Sequence, residues 1–233
     1  MTDPRPLARR TLVTRAGERI RFGLVTQEIL DRLARAGALV YPYVVVEEPY
    51  QTRPDLDRRL STLALRQIRP EDARQVASLP CRPLDETETR QRLAKRECFG
   101  LFEGERLLGY TWVKFDCIGS AGHAQDRIGP LPADSAYLFD AYVARDARGL
   151  QVAPVLRHAV QSLLRARGRQ RFFSITLLFN TSSRRFKEKL GAIEFETRVI
   201  LGRPGGTALD LRLWRRELRV DLPRLQVMKP ALP

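Results

Sequence analysis

Three features predict an α/β chain of the α+β type, in which a mixed sheet carries helices on both faces. From Ser61 onward, strand-like and helix-like stretches follow the order β-α-α-β-β-β-α-β-α-β-β. One helix has an apolar stripe at three- and four-residue steps: Val152, Val155, Leu156, Ala159, Val160, Leu163 and Leu164, closed by Gly168. Two helices also start directly after strands, at Arg148-Gly149-Leu150-Gln151-Val152-Ala153 and at Asn180-Thr181-Ser182-Ser183. The first N–H groups of a helix lack intrahelical partners, so the glycine-containing start is a ready anion site, and the second segment could close on the same ligand.

Residues 1–61 read as an N-terminal extension. Leu12-Val13 and Ile20-Arg21-Phe22 flank a hairpin turn. Gln27 to Ala36 has helical spacing and stops at Gly37. Leu39 to Val46 is strand-like, and Pro42 assigns it to an edge or a bulge. Pro49 to Arg59, polar and proline-containing, reads as a linker. The main domain then spans 62–217. Leu63 to Ile68 alternates as a strand, and Pro70-Glu71-Asp72 opens a helix with acids in its first turn. A helix over Asp85 to Glu97 precedes a hairpin of Cys98–Phe102 and Leu107–Phe115 around Gly104. Residues 118–135 form a loop rich in Gly and Pro. The remaining strands are Ala136–Val143, Arg171–Phe179, Ile193–Leu201 and Leu209–Leu213, with a short helix over Ser182–Leu190. Residues 218–233 are a tail.

Hydrophobic residues make up 43% of the 233, enough for a folded core. No run of roughly 18 apolar residues occurs, so no membrane span is expected, and the first residues lack the apolar stretch of a secretory signal. Cys81, Cys98 and Cys117 have no metal-type spacing, and a reduced, cytoplasmic chain is the simplest reading. His123 and His158 are too far apart in sequence to imply a metal site, and no metal ligands are assigned. Cys117, at the end of a central strand, reads as buried and structural, and Trp112 and Trp214 as core or interface aromatics. The formal net charge is +14, almost all of it arginine, since lysine occurs only at Lys95, Lys114, Lys187, Lys189 and Lys229. Such a surface attracts nucleic acid, anionic membrane, acidic carrier proteins or phosphorylated ligands. The arginines are dispersed, so solvated faces account for them equally well.

The two helix-start segments resemble those of the GNAT superfamily of acyl-CoA N-acyltransferases, over about residues 62–217. The family's pyrophosphate turn, Arg/Gln-x-x-Gly-x-Gly/Ala, is matched by Arg148 and Ala153 at its ends, while Gln151 stands at its central glycine. Its second motif is Asn-x-x-Ala, then an aromatic, then Lys-Leu-Gly-Phe. Asn180, Ser183 and Lys189-Leu190-Gly191-Ala192 follow that spacing. The resemblance implies a GNAT-like fold that binds acetyl-CoA or another acyl-CoA. The pyrophosphate would lie on Arg148 and the backbone of Gly149, Leu150, Gln151, Val152 and Ala153. Backbone groups of Tyr142 and Val143 would hold the pantetheine and thioester, with Asn180, Ser183 and Phe186 along the second helix. Asn180 also suits a plain N-cap. An N–H aimed at the thioester carbonyl stabilises the tetrahedral oxyanion.

Where the family carries the tyrosine that protonates the CoA thiolate, this chain has Lys187, next to Phe186. Lys187 is either that proton donor or a solvated helix lysine. Asp140 and Tyr142 are the base or base-orienting candidates, and Asp140 alternatively bonds a loop backbone. The expected activity is transfer of an acyl group, acetyl first, from acyl-CoA to a primary amine by direct attack. The alternatives are a donor on an acidic acyl carrier protein, a longer acyl chain, or a non-catalytic module binding RNA or another anionic partner. A monomer and a homodimer both fit the sequence.

Overall fold

The computed structural model describes residues 24–79, 85–119, 129–203, 206 and 208–215. Helix α1 (Leu24–Arg35) leads into β1 (Leu39–Glu47), α2 (Pro54–Leu60) and β2 (Ala64–Ile68). A 3₁₀ turn (Pro70–Asp72) runs into α3 (Ala73–Ala77), followed by α4 (Glu86–Leu93), β3 (Glu97–Glu103) and β4 (Arg106–Lys114). A two-stranded ribbon of β5 (Cys117–Ile118) and β6 (Gly129–Pro130) precedes β7 (Ser135–Val143). Then come α5 (Val152–Ala166), β8 (Arg171–Leu177), α6 (Thr181–Lys189), β9 (Ile193–Gly202) and β10 (Ala208–Arg215). The expected hairpin over residues 12–22, the tail 218–233, Cys81 and His123 lie outside the described residues.

Local chemistry explains these boundaries. Asp85 caps α4 by accepting from the Glu88 N–H at 2.8 Å, and Glu88 reaches back to the Asp85 N–H at 3.3 Å. α5 ends where Gly168 takes φ +85°, a conformation open to glycine at little cost. Between β3 and β4, Gly104 takes φ +58°.

One eight-stranded sheet has the order β10-β9-β1-β8-β7-β4-β3-β2. Only the β7–β8 pair is parallel. The fold is thus the expected mixed sheet with an α/β order, but β1 is not at its edge. It pairs antiparallel with β8 on one side and β9 on the other, and Tyr43, Val44, Val45 and Val46 are each no more than 1% exposed. The boundary drawn after residue 61 therefore runs through this sheet. Pro42 is tolerated in an interior strand for a local reason. Its carbonyl accepts from the Leu178 N–H, just past the end of β8. The side on which its missing N–H falls is therefore that of Leu178, whose carbonyl accepts from Arg184 Nη1 at 3.1 Å instead.

Pro49 to Arg59 is not a linker throughout, because Pro54–Leu60 is helical. Pro54 occupies the first turn with Asp55 and Asp57, and Leu56 is buried. Asp57 Oδ1 lies 2.7 Å from His158 Nε2, which joins α2 to α5. Cys117 does not end a central strand but lies in the small ribbon, buried. Trp112 is core, whereas Trp214 on β10 is half exposed.

Candidate functional site

β7 and β8 pair only through Ser135↔Arg171, Ala136↔Phe172 and Tyr137↔Phe173. Beyond that they separate. β7 gains one extra residue relative to β4 between the pairs Trp112↔Phe139 and Tyr110↔Tyr142, and Asp140 within this bulge takes φ +46°. The divergence opens a cavity of about 400 Å³ through the sheet. Its walls are the separating strands, with Arg157 from α5, Asn180, Ser183 and Lys187 from the α6 segment, and Arg92 from α4. Asp140 Oδ2 accepts from Arg92 Nη1 at 2.7 Å, and the Arg92 guanidinium sits 5.1 Å from the Trp112 ring centroid. The carboxylate is thus held by a side chain of α4.

β7 leads from the bulge to the start of α5. Gly149 takes φ +86° and Gln151, the N-cap, φ +60°. Gln151 therefore adopts the left-handed geometry for which a glycine is preferred, and the turn keeps its form without one. No side chain caps the helix, and Pro154 contributes no N–H, so the backbone donors at this end are those up to Ala153. Arg59 of α2 donates from Nη1 to the Leu150 carbonyl at 2.6 Å. Arg148 donates from Nε to the Val143 carbonyl at 3.3 Å, with its guanidinium 5.9 Å from the Tyr142 ring centroid. The Ala144 N–H bonds the Leu108 carbonyl on β4. Adjacent strand residues point their backbone groups to opposite sides, so those of Val143 face the open side, toward β8.

Lys187 is not solvated. Only 5% exposed, it donates from Nζ to the Ile175 carbonyl at 2.9 Å and to the Thr176 hydroxyl. Burial lowers its pKa from the ordinary 10.5 to about 7; Glu48 and Glu194 oppose the shift, while Arg157 reinforces it. The same buried cluster contains Glu48, which accepts from the Ser174 hydroxyl and from Gln161 Nε2 at 3.4 Å and pairs with Arg157 Nε at 3.3 Å. Charges this deep persist only when paired and hydrogen-bonded.

A strand pair that splays over a helix-start turn, with an asparagine-capped helix beside it, has a counterpart in sequence. The sequence model of the acetyltransferase (GNAT) family matches residues 63–192, more than half of the chain. The chain belongs to the acetyltransferase (GNAT) family. Its enzyme class is that of N-acetyltransferases. Among solved structures it is similar to a GNAT-family acetyltransferase from Novosphingobium aromaticivorans, at 18% identity, over 72% of this chain and 68% of that one, with a TM-score of 0.48. It is also similar to the ribosomal-protein-S18-alanine N-acetyltransferase from Escherichia coli, at 14% identity over 55% and 76%, with a TM-score of 0.43. An aminoglycoside N-acetyltransferase solved in complex with CoA matches at 18% identity over 55% and 86%, also with a TM-score of 0.43. A comparison with the curated proteins found no match.

Some of the residues singled out from sequence lie at the cavity and others do not. Asp140, Lys187, Asn180 and Ser183 line the cavity. Asn180 also caps α6, its Oδ1 accepting the Ser183 N–H at 3.0 Å. Tyr142 does not line it: its ring stacks on Tyr110 at 5.8 Å between centroids, and its backbone faces β4. Phe186 is half-buried on α6 and is likewise not part of the cavity wall. Sequence reading missed Arg92, Arg157, Glu48, Tyr137 and Arg59. Arg157 lies off the apolar stripe of α5, and nothing in periodicity marks it as buried. The pairing of Arg92 with Asp140 depends on a helix and a strand distant in sequence. Among the described residues, no group of three or more His, Cys, Asp or Glu side chains is disposed to hold a metal ion, and no helix is long and apolar enough to cross a membrane.

Proposed function

We propose that the chain transfers an acetyl group from acetyl-CoA to a primary amine by direct attack within the β7–β8 cleft. The observation that carries this reading is that the buried Lys187 amine and the Asp140 bulge share one cavity between splayed strands. The turn at 148–153 supplies backbone donors suited to a pyrophosphate, with Arg148 and Arg59 beside it. Asn180 suits a pantetheine amide. The amine nitrogen bonds to the thioester carbonyl carbon, and the oxyanion that forms is met by the Val143 N–H. Asp140, held by Arg92, takes the proton that the nitrogen gives up. The C–S bond breaks, and the thiolate takes a proton from the Lys187 ammonium, whose lowered pKa suits donation near neutrality. Cys98 and Cys117, both buried and outside any disulfide, accord with a reduced, cytoplasmic setting.

Thermal titration with acetyl-CoA, longer acyl-CoAs and free CoA tests this. At several hundred times its Kd, a bound CoA species raises stability by roughly 3–4 kcal/mol. A greater response to long-chain donors would move the reading to a longer acyl group. No response to any CoA species, with steeply salt-dependent RNA binding instead, would replace it with a non-catalytic anion-binding module.

A further inference from the structure

The closed end of the cleft, where β7 and β8 last touch, is unlike its mouth. Tyr137 is the last β7 residue in the parallel ladder, and Ser174 follows the last β8 partner, Phe173. Behind Ser174, the Glu48 carboxylate is fully engaged by the Ser174 hydroxyl, the Gln161 amide and Arg157 Nε. That pairing uses one edge of the Arg157 guanidinium. Its Nη1 is buried and has no hydrogen-bond partner, although Arg157 is only 5% exposed and lines the cavity. The Tyr137 hydroxyl, on the same cavity wall, is also buried without a partner. Arg157 is near enough to act electrostatically on that phenol. The Lys187 amine lines the same space and has its own contacts to the Ile175 carbonyl and Thr176.

A chamber that accommodates only a methyl group is lined most favourably by carbon. Here, two buried donors are left unmatched beside a third cationic donor, and no acceptor among the described residues meets them. Buried donors without partners are rare in folded proteins, and two that line one cavity call for an acceptor within it. A carboxylate is the group that suits them, because a guanidinium edge and a hydroxyl supply N–H and O–H donors for its two oxygens.

We infer that the closed end of this cleft, between Arg157 Nη1 and the Tyr137 hydroxyl, binds a carboxylate carried by one of the two reactants. This deepens the acetyl-transfer reading and rests on it. The carboxylate has two possible sources: the α-carboxylate of an amino-acid-like amine, or the terminal carboxylate of a dicarboxylic acyl group on CoA.

Isothermal titration on the full chain separates these. In one arm, succinyl-CoA is compared with acetyl-CoA. In the other, protein saturated with CoA is titrated with amino acids and with their amides. A carboxylate ligand is expected to bind at least tenfold more tightly than its neutral counterpart in one arm, and that arm identifies the source. Tyr137→Phe removes only a hydroxyl that has no partner, so it retains the parent melting temperature while the preference falls severalfold. Arg157→Gln is expected to reduce the preference further. A merely structural role for either side chain would leave the ratio of carboxylate to neutral affinity unmoved. Equal binding of carboxylate and neutral ligands in both arms, with CoA itself still bound, overturns the inference alone. Absence of CoA binding overturns the acetyl-transfer reading together with it.

Discussion

Arg92 on α4 donates to Asp140 on β7 across 2.7 Å, and Asp140 holds a left-handed backbone at φ +46°. The contact ties a helix between β2 and β3 to the bulge where the sheet opens, and it sets the direction of a carboxylate at the cavity wall. Asp140→Asn keeps a side chain that tolerates the left-handed region while removing the negative charge. If Asp140 is the base, kcat falls by about 10²–10⁴-fold with little change in the Kd for CoA. Arg92→Met, which releases the carboxylate without removing it, is expected to give a smaller loss of kcat. Steady-state rates alongside CoA titrations check this; an Asp140→Asn enzyme at parental kcat refutes the role.

Lys187 titrates in the working range, so it makes two predictions with opposite signs. As the proton donor it acts when charged, and kcat is expected to fall as pH rises through about 7. Lys187→Met should remove that alkaline limb along with most of the rate. Lys187→Tyr, restoring a phenol, should move the limb toward about 10. For stability, the folded pKa is depressed below the ordinary 10.5, so from about pH 7 up to that value the unfolded chain binds the extra proton. The contribution of Lys187 to stability is therefore complete above the unfolded pKa. It is lost as pH falls through about 7, and denaturant melts of parent and Lys187→Met across that window measure the difference.

Gln151 occupies a left-handed position at the start of α5. A non-glycine residue there costs roughly 1–2 kcal/mol relative to the right-handed conformation. Gln151→Gly should recover part of this and raise Tm by roughly 2–4 °C for each kcal/mol in a chain of this size. It should also tighten CoA binding, because a Cβ leaves the anion turn. A lower Tm would show that the Gln151 side chain makes a contact that outweighs the strain.

Deleting residues 1–60 removes an interior strand. Tyr43, Val44, Val45 and Val46 are essentially inaccessible to solvent, and burying each such side chain contributes about 1.5–3 kcal/mol. Together these rival the whole stability of a typical domain, about 5–15 kcal/mol. The truncated chain is expected to show no cooperative thermal transition and to aggregate through the bared edges of β8 and β9. A soluble, sharply melting truncation would sink this prediction.

The site was legible in sequence wherever its determinants are local. The helix-start turn, the Asn180 cap and the stripe of α5 rest on contacts within a few residues, so spacing alone revealed them. Asp140 and Lys187 were marked by position, but not their surroundings: Lys187 read more readily as a solvated helix lysine until the packing of Thr176, Ile175 and Glu48 around it was known. β1 is the largest difference. Pro42 pointed to an edge or a bulge, because a proline in an interior strand normally forfeits a ladder bond. Only the tertiary structure shows that Arg184 meets the Leu178 carbonyl left opposite it.

The sequence by itself determined the alternation of strands and helices, the anion turn and the family, since these depend on periodicity, capping and short-range backbone conformation. Tertiary structure decided that β1 completes the sheet between β8 and β9, that Arg92 holds Asp140, and that Arg157, Tyr137 and Lys187 line one cavity. Those outcomes depend on which side chains meet across long chain separations and on the desolvation they undergo there, and neither is written in the local pattern of residues.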